Sequence, residues 1–280
     1  MQGKTVLVTG ANQGIGKAAA LELARQGAQI TIVARSEEKG RGASAEIQAA
    51  CDSAKVDLIV ADLSSQTQVK RAAAEFRSRH ERLDVLVNNA GVFVPSRHTT
   101  VDGVEETFAV NHLACFLLTR ELLDLLKKGA PSRIVNVSSA AHRYGTMHWS
   151  DLEFATHHYS AWSAYTQSKL ANVLFTYELA RRLEGTGVTA NAAHPGIVGS
   201  GFGRTYPGMM ALLYTVGRQF MLTPEKGART SVYLASSPEV EGVSGKYFAH
   251  CKAEQSSAVT YCHASQRKLW ALSEEMVRRR

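Results

Sequence analysis

The stretch Lys4-Thr-Val-Leu-Val-Thr9-Gly10-Ala-Asn-Gln-Gly14-Ile-Gly16 reads as a short β-branched strand, a glycine turn and the opening of a helix. The apolar run up to Thr9 has the continuous hydrophobicity of a strand buried on both faces of a parallel sheet. Lys17 to Gln26 is rich in Ala, Leu and Glu and stops at Gly27, as a helix does. A second strand, Gln29 to Ala34, follows, so the opening of the chain is a βαβ unit. The glycine spacing is G-x-x-x-G-x-G. A cluster of glycines by itself can be a mere turn. Between a first strand and its helix, it lets the backbone of a helix N-terminus approach a pyrophosphate closely. Gly10, Asn12, Gln13, Gly14, Ile15 and Gly16 are therefore candidate contacts of a dinucleotide.

The end of the second strand bears on which dinucleotide. In this arrangement an acidic residue about 20 positions on binds a ribose 2′-hydroxyl, whereas an arginine suits a 2′-phosphate. Here the place is held by Ala34-Arg35-Ser36, with no carboxylate before Glu37. Arg35 can fork onto a phosphate and Ser36 can donate a hydrogen bond to it, which favours NADP over NAD.

Strand and helix patterns alternate through the rest of the chain. A helix near Glu38 to Ala50 leads to strand Val56 to Val60 and then Asp62-Leu63. Asp62 stands where an adenine would lie, or it caps the next helix, Gln66 to Arg79. A fourth strand, Leu83 to Val87, runs into Asn88-Asn89-Ala90-Gly91. Asn89, Ala90 and Gly91 either make a turn or lock the central strands beside a cofactor. Glu105 to Lys128 reads as one long helix in which Asn111 is a poor interior residue, so a kink or a polar group aimed at a site is expected there. Strand Arg133 to Val137 ends in Ser138-Ser139, and a loop leads to a helix from Tyr165 to Glu184. Strand Val188 to Ala192 ends in His194-Pro195-Gly196. An apolar segment, Phe202 to Leu222, precedes helix Pro224 to Leu234, a last strand Gly245 to Ala249 and a C-terminal helix Ala264 to Met276. No linker or repeat interrupts this alternation. The expected fold is one α/β domain over residues 1–280: a doubly wound, Rossmann-type parallel sheet flanked by helices, with its sites at the carboxyl edge.

Composition narrows the classes. The chain has 280 residues, 45% hydrophobic and 20% charged, enough for a sizeable core. Cys51, Cys115, Cys251 and Cys262 form neither a CxxC nor a Cys/His metal pattern, so no metal site is expected and free thiols in a reducing compartment are. His142, His148, His157 and His158 fit no metal spacing and are expected at the solvent or lining a pocket. The net charge of +7 suits an anionic ligand. Nucleic acid is not expected, because no basic run is interleaved with stacking aromatics. The tail Arg278-Arg279-Arg280 is solvated, or touches a membrane surface. With no signal peptide and no apolar run long enough to cross a bilayer, a cytoplasmic location is expected.

Tyr165-Thr-Gln-Ser-Lys169 places a phenol and an ammonium one helical turn apart on one face. A nearby ammonium favours the phenolate and makes tyrosine a usable acid or base near neutral pH.

Taken in order, TGxxxGxG at Thr9 to Gly16, NNAG at Asn88 to Gly91, Asn111, Ser139, YxxxK at Tyr165 to Lys169 and Pro195-Gly196 resemble the short-chain dehydrogenases/reductases. Val-Asn-Val-Ser-Ser-Ala-Ala-His, Ser-Lys-Leu-Ala-Asn-Val-Leu-Phe, His-Pro-Gly and Gly-Lys-Tyr-Phe are similar to the branch of retinol dehydrogenases and related carbonyl reductases. Many members of that branch carry an N-terminal membrane anchor, from which this sequence departs. The resemblance implies Tyr165 as general acid/base, Lys169 as the group that lowers its pKa and holds the nicotinamide ribose, Ser139 as hydrogen-bond donor to the substrate oxygen, and Asn111 as holder of a water that links Lys169 to solvent. It also implies cofactor contacts from Arg35, Ser36, Asp62 and Leu63, from Asn89 to Gly91, and from Pro195, Gly196 and Val198. The expected reaction is NADPH-dependent reduction of a hydrophobic aldehyde or ketone, or its reverse. The alternatives are an NAD-dependent alcohol dehydrogenase and a non-catalytic NADP-binding sensor. Residues 199–222 are either a lid over an apolar substrate or an ordinary packed helix. Homodimerisation through the helices Glu105 to Lys128 and Tyr165 to Glu184 is open, since the branch also contains monomers.

Overall fold

A computed structural model describes residues 1–51, 55–196 and 222–278. Val198 and all of the apolar segment before Leu222 lie outside the described residues. The strands are β1 (Thr5–Thr9), β2 (Gln29–Ala34), β3 (Val56–Val60), β4 (Val85–Asn88), β5 (Ser132–Val137), β6 (Val188–His194), β7 (Tyr247–Ala249) and β8 (Lys252–Glu254). They form one sheet in the order β3-β2-β1-β4-β5-β6-β7-β8. The first seven are parallel and β8 is antiparallel to β7. Gly245 to Ala249 is therefore not the last strand. His250 and Cys251 take positive φ values, 50° and 60°, and turn the chain back into β8.

Why the sheet is doubly wound is visible in β1. Alternate side chains of a strand point to opposite faces. Leu7 joins one core with Phe76, Phe116 and Leu174. Val6 and Val8 join the other with Ala20, Leu23 and Leu234. Helices α1 (Gly14–Arg25) and α8 (Pro224–Ser236) supply residues to the second core. Helices α3 (Gln66–Arg79), α5 (Ala114–Glu121) and α7 (Ala161–Arg182) supply the first. On that face the C-terminal helix, α9 (His263–Arg278), packs Trp270 against Phe116 and Phe175, with ring centroids 5.0 and 5.8 Å apart. The chain's own helix thus covers part of the face considered above for a partner subunit.

The long helix expected from Glu105 to Lys128 is divided. A short turn, α4 (Glu106–Phe108), opens into a π-helical turn, Ala109–Leu113, before α5. Leu122, with φ −105° and ψ 5°, then separates α5 from α6 (Leu123–Lys128). The buried carboxylate of Glu105 starts this element by accepting from the backbone N–H groups of Thr107 and Phe108 at 2.8 and 2.7 Å. Helix α2 (Glu37–Ala49) is capped by Ser36 and α3 by Ser65, whose hydroxyls accept from Lys39 N and Gln68 N. The cap of α3 is thus Ser65, two residues past Leu63, and not Asp62.

Candidate active site

The strand order reverses between β1 and β4, which opens a crevice at their carboxyl ends. The two ends are stitched together. Thr9 Oγ1 accepts from the backbone N–H groups of Asn89 and Ala90, each at 3.0 Å. The Asn89 side-chain amide donates to Thr9 O at 2.9 Å and to Gly10 O at 3.3 Å. Asn89 thus ties the carboxyl ends of β1 and β4 together. Gly10 and Gly14 have φ of +65° and +58°, a region that favours glycine. A Cβ at Gly16 would overlap the Asn89 amide nitrogen and Gly10 O, so helix and strand ends approach this closely only with glycine there.

Helix α1 begins at this turn with no side-chain cap. Gln13, its exposed N-cap, makes no capping hydrogen bond, whereas α2, α3, α7 and α8 are each capped by a serine or threonine. Its first N–H groups therefore face the crevice without a side-chain acceptor, as an anion-binding helix end requires. Asn12 and Ile15 flank the turn, half-buried. At the end of β2, Arg35 is exposed and Ser36 keeps its hydroxyl proton free to donate while its oxygen caps α2. Glu37, the first carboxylate after Arg35 in sequence, is held by Arg41 at 2.6 and 3.0 Å. At the end of β3, Asp62 accepts from Ser64 N at 2.9 Å, and Leu63 packs on the core. Pro195 and Gly196 follow β6 at the same edge of the sheet, with Gly196 at φ +79°. These residues fit a dinucleotide: a glycine cradle that a Cβ would fill, an uncapped helix end and a free guanidinium at the ribose end.

Beside the crevice lies a second group of side chains. Lys169, inside α7, is only 3% exposed. Its Nζ donates to Val137 O at 3.1 Å and lies 5.7 Å from the centre of the Tyr165 ring. Burial pushes the Lys169 ammonium down to about 8. Gly91 touches both groups of interest: a methyl there would sit 3.3 Å from Asn111 Oδ1 and 3.4 Å from Lys169 Nζ. Asn111 lies in the π-helical turn, which explains its place inside a helix. Its amide clasps Val92, accepting from the backbone N–H at 2.7 Å and donating to the carbonyl at 3.0 Å. It also donates to Ser168 Oγ at 2.9 Å, whose hydroxyl donates to Tyr165 O at 2.7 Å. At the end of β5, Ser138 is buried and donates to Lys169 O at 2.8 Å, so it is committed to packing. Ser139 is half-buried, and its Oγ accepts from Ala141 N at 3.2 Å, which leaves its proton available.

Several participants were not singled out in the sequence. Asn136 of β5 accepts from Asn88 Nδ2 at 2.9 Å and donates to Thr176 Oγ1 at 3.0 Å, a buried polar rung beneath the site. Phe93 and Trp162 stand 5.7 and 6.4 Å from the Tyr165 ring. The histidines divide. His157 and His158 are exposed, and His157 pairs with Asp151 at 2.8 Å. His148 is half-buried against Phe154, whereas His142 is completely buried, contrary to its expected place at the solvent or a pocket wall. Among the described residues no three His, Cys, Asp or Glu side chains are arranged to hold a metal ion.

A family model described as short chain dehydrogenase matches residues 4–152. Human retinol dehydrogenase 14 is 47% identical over 293 aligned positions, covering 99% of this chain and 87% of that protein. Human retinol dehydrogenase 13 is 46% identical over 281 positions, covering 98% and 85%. Among solved structures, an uncharacterised protein from Mycobacterium paratuberculosis superposes with a TM-score of 0.80 at 33% identity, over 99% of this chain and 94% of that one. Pseudomonas aeruginosa RhlG, solved as an NADP active-site complex, gives 0.69 at 27% identity over 89% and 94%. Sheet order, crevice and sequence matches agree: the chain belongs to the short-chain dehydrogenase/reductase family, in its retinol dehydrogenase branch, and is an oxidoreductase of alcohol and carbonyl groups that uses a nicotinamide dinucleotide.

Proposed function

We propose that this chain reduces the carbonyl group of an apolar aldehyde or ketone with NADPH and catalyses the reverse oxidation of the matching alcohol. The observation that carries the proposal is the pairing of half-exposed Tyr165 with the buried ammonium of Lys169, which is bonded to Val137 at the end of the strand that leads into Ser139. A buried positive charge stabilises a phenolate, so Tyr165 can give up its proton to a developing alkoxide. Ser139 donates its free hydroxyl proton to the same oxygen and stabilises the charge there. Asn111 is the proposed holder of the water that links Lys169 to solvent. The cofactor, when bound, supplies or accepts the hydride.

The preference for NADP rests on Arg35. It is exposed at the end of β2, and the carboxylate that follows in sequence, Glu37, is engaged by Arg41. A free guanidinium beside the Ser36 hydroxyl suits a 2′-phosphate and offers nothing specific to a 2′-hydroxyl. The apolar substrate class is supported by the rings around Tyr165: Phe93, Trp162 and, 6.4 Å beyond Trp162, Tyr144. The retinol dehydrogenases among the relatives fit that class by name. A cytoplasmic location is also proposed, consistent with the free thiols at Cys51, Cys115, Cys251 and Cys262. No helix among the described residues is long and apolar enough to cross a membrane.

The test is a panel of carbonyl compounds assayed with NADPH: all-trans-retinal, nonanal, a cyclic ketone and the polar glyceraldehyde. Turnover of the apolar members, with glyceraldehyde far poorer, is the expected result. Preference for glyceraldehyde, or no turnover of any member, would overturn the reading.

A further inference from the structure

The peptide unit that joins Ser139 to Ala140 is gripped on both sides. Its carbonyl oxygen, Ser139 O, faces His142 Nδ1 at 2.6 Å. Its N–H, on Ala140, donates to His194 Nδ1 at 3.2 Å. A peptide unit is planar, so holding both its polar groups fixes its plane. That plane sets ψ of Ser139, which is 157°, and with it the direction in which the side chain leaves the backbone.

The state of the His142 ring follows from its partners. Its Nε2 receives the backbone N–H of Ser257 at 3.1 Å. A backbone N–H only donates and a carbonyl only accepts, so Nε2 is bare and the proton sits on Nδ1, pointing at Ser139 O. The ring is fully buried, 4.7 Å from the Tyr247 ring. Burial lowers its pKa, which keeps it neutral. Ser257 in turn belongs to a fixed segment. The neighbouring Ser256 hydroxyl meets Tyr177 OH at 2.7 Å and Thr260 Oγ1 at 2.6 Å, and Thr260 N donates to Ser257 O at 2.9 Å. The adjacent Arg143 donates to Gln255 O at 2.5 Å. The chain after β8 is thus fastened to the turn that carries Ser139.

We infer that His142 is a positioning residue for Ser139: as a neutral Nδ1–H imidazole braced by Ser257, and opposed by His194, it aims the Ser139 hydroxyl at the substrate oxygen. The inference rests on the proposed role of Ser139. It assigns the C-terminal part of the chain a part in catalysis, through one buried ring.

The experiment measures kcat, KM and melting temperature for His142→Ala, His142→Asn, Ser257→Pro, Ser139→Ala and the double variant His142→Ala/Ser139→Ala, with the best apolar substrate of the panel. Ser257→Pro removes the single N–H that His142 accepts. Its φ of −59° suits proline, but the ring Cδ takes the place of that hydrogen against Nε2, so the variant both breaks the brace and presses on the buried imidazole. Loss of aim lowers kcat roughly 10- to 100-fold in His142→Ala with KM little changed. His142→Asn, whose amide can still donate to Ser139 O, recovers part of that rate. Ser257→Pro lowers kcat in the same direction and also lowers the melting temperature, so the rescue by His142→Asn and the double variant separate aim from stability. In the Ser139→Ala background, His142→Ala has no further effect. A full rate in both His142→Ala and Ser257→Pro, or losses that multiply in the double variant, would overturn the inference. A full rate in Ser139→Ala would overturn the reading of the active site beneath it, and that outcome is separately visible.

Discussion

Lys169 Nζ donates to the carbonyl oxygen of Val137 across 3.1 Å, joining the middle of α7 to the last residue of β5. The bond ties the helix that carries Tyr165 to the strand that leads into Ser139. It also places an ammonium where almost no water reaches, which is unfavourable for stability and useful for chemistry.

The cost has a pH signature. Burial lowers Lys169 to about 8, below the value of about 10.4 for a free lysine. The unfolded chain therefore holds an extra proton between these two values, and folding stability rises with pH across that window. Below it, Lys169 opposes folding in full. Lys169→Met is expected to raise the melting temperature of the cofactor-free protein at pH 7 by about 2–4 °C per kcal/mol recovered. The gap to wild type should close as pH rises towards 10. Turnover should vanish in the variant, and in wild type should fall above about pH 8 as the ammonium is lost. Melting curves and rates over one pH series check both.

Arg35 is expected to set the cofactor. Arg35→Asp removes the guanidinium and puts a carboxylate at the end of β2, where it repels a 2′-phosphate and accepts from a 2′-hydroxyl. The ratio of kcat/KM for NADPH over NADH should fall by about 100-fold, the equivalent of one or two charge-assisted hydrogen bonds. A wild type that already prefers NADH would show that Arg35 is a surface arginine.

Gly91 separates the effects of fold and site. Gly91→Ala brings a methyl to 3.3 Å from Asn111 Oδ1 and 3.4 Å from Lys169 Nζ, both tight contacts that a small shift relieves. The expected result is a clear loss of kcat with little change in melting temperature. Gly16→Ala, whose methyl meets backbone at Gly10, should instead destabilise by about 1–3 kcal/mol and weaken cofactor binding. Thermal melts and cofactor titration distinguish the two.

The fold was legible because parallel strands buried on both faces carry their signal in a few adjacent residues. The runs at Val6 to Val8, Ile30 to Val33 and Val85 to Val87 needed no tertiary information. The glycine turn was legible for the same local reason. What the sequence concealed depends on long-range pairing. Lys252-Ala-Glu254 is too short and too polar to read as a strand, and becomes one only because the turn at His250 and Cys251 returns it to β7. The π-helical turn at Asn111 was anticipated as an irregularity, since an asparagine strains a helix interior, but its form follows from the clasp on Val92. His142 looked like one of four loop histidines. Its burial is decided by Ser257, 115 positions away. Ser138 and Ser139 are indistinguishable by type, and the backbone separates them: one donates its proton to the Lys169 carbonyl, the other only accepts from Ala141 N and keeps its proton.

The most direct measurement is the single-turnover and steady-state rate of Tyr165→Phe with all-trans-retinal or nonanal and NADPH, beside cofactor affinity from fluorescence titration. Removing one hydroxyl leaves the ring between Phe93 and Trp162 and leaves Lys169 bonded to Val137. The expected result is NADPH bound as in wild type, an unchanged melting temperature and a rate reduced by about 10²- to 10⁴-fold, the worth of a positioned proton donor. A variant that reduces the carbonyl at the wild-type rate would contradict the assignment of Tyr165 as that donor.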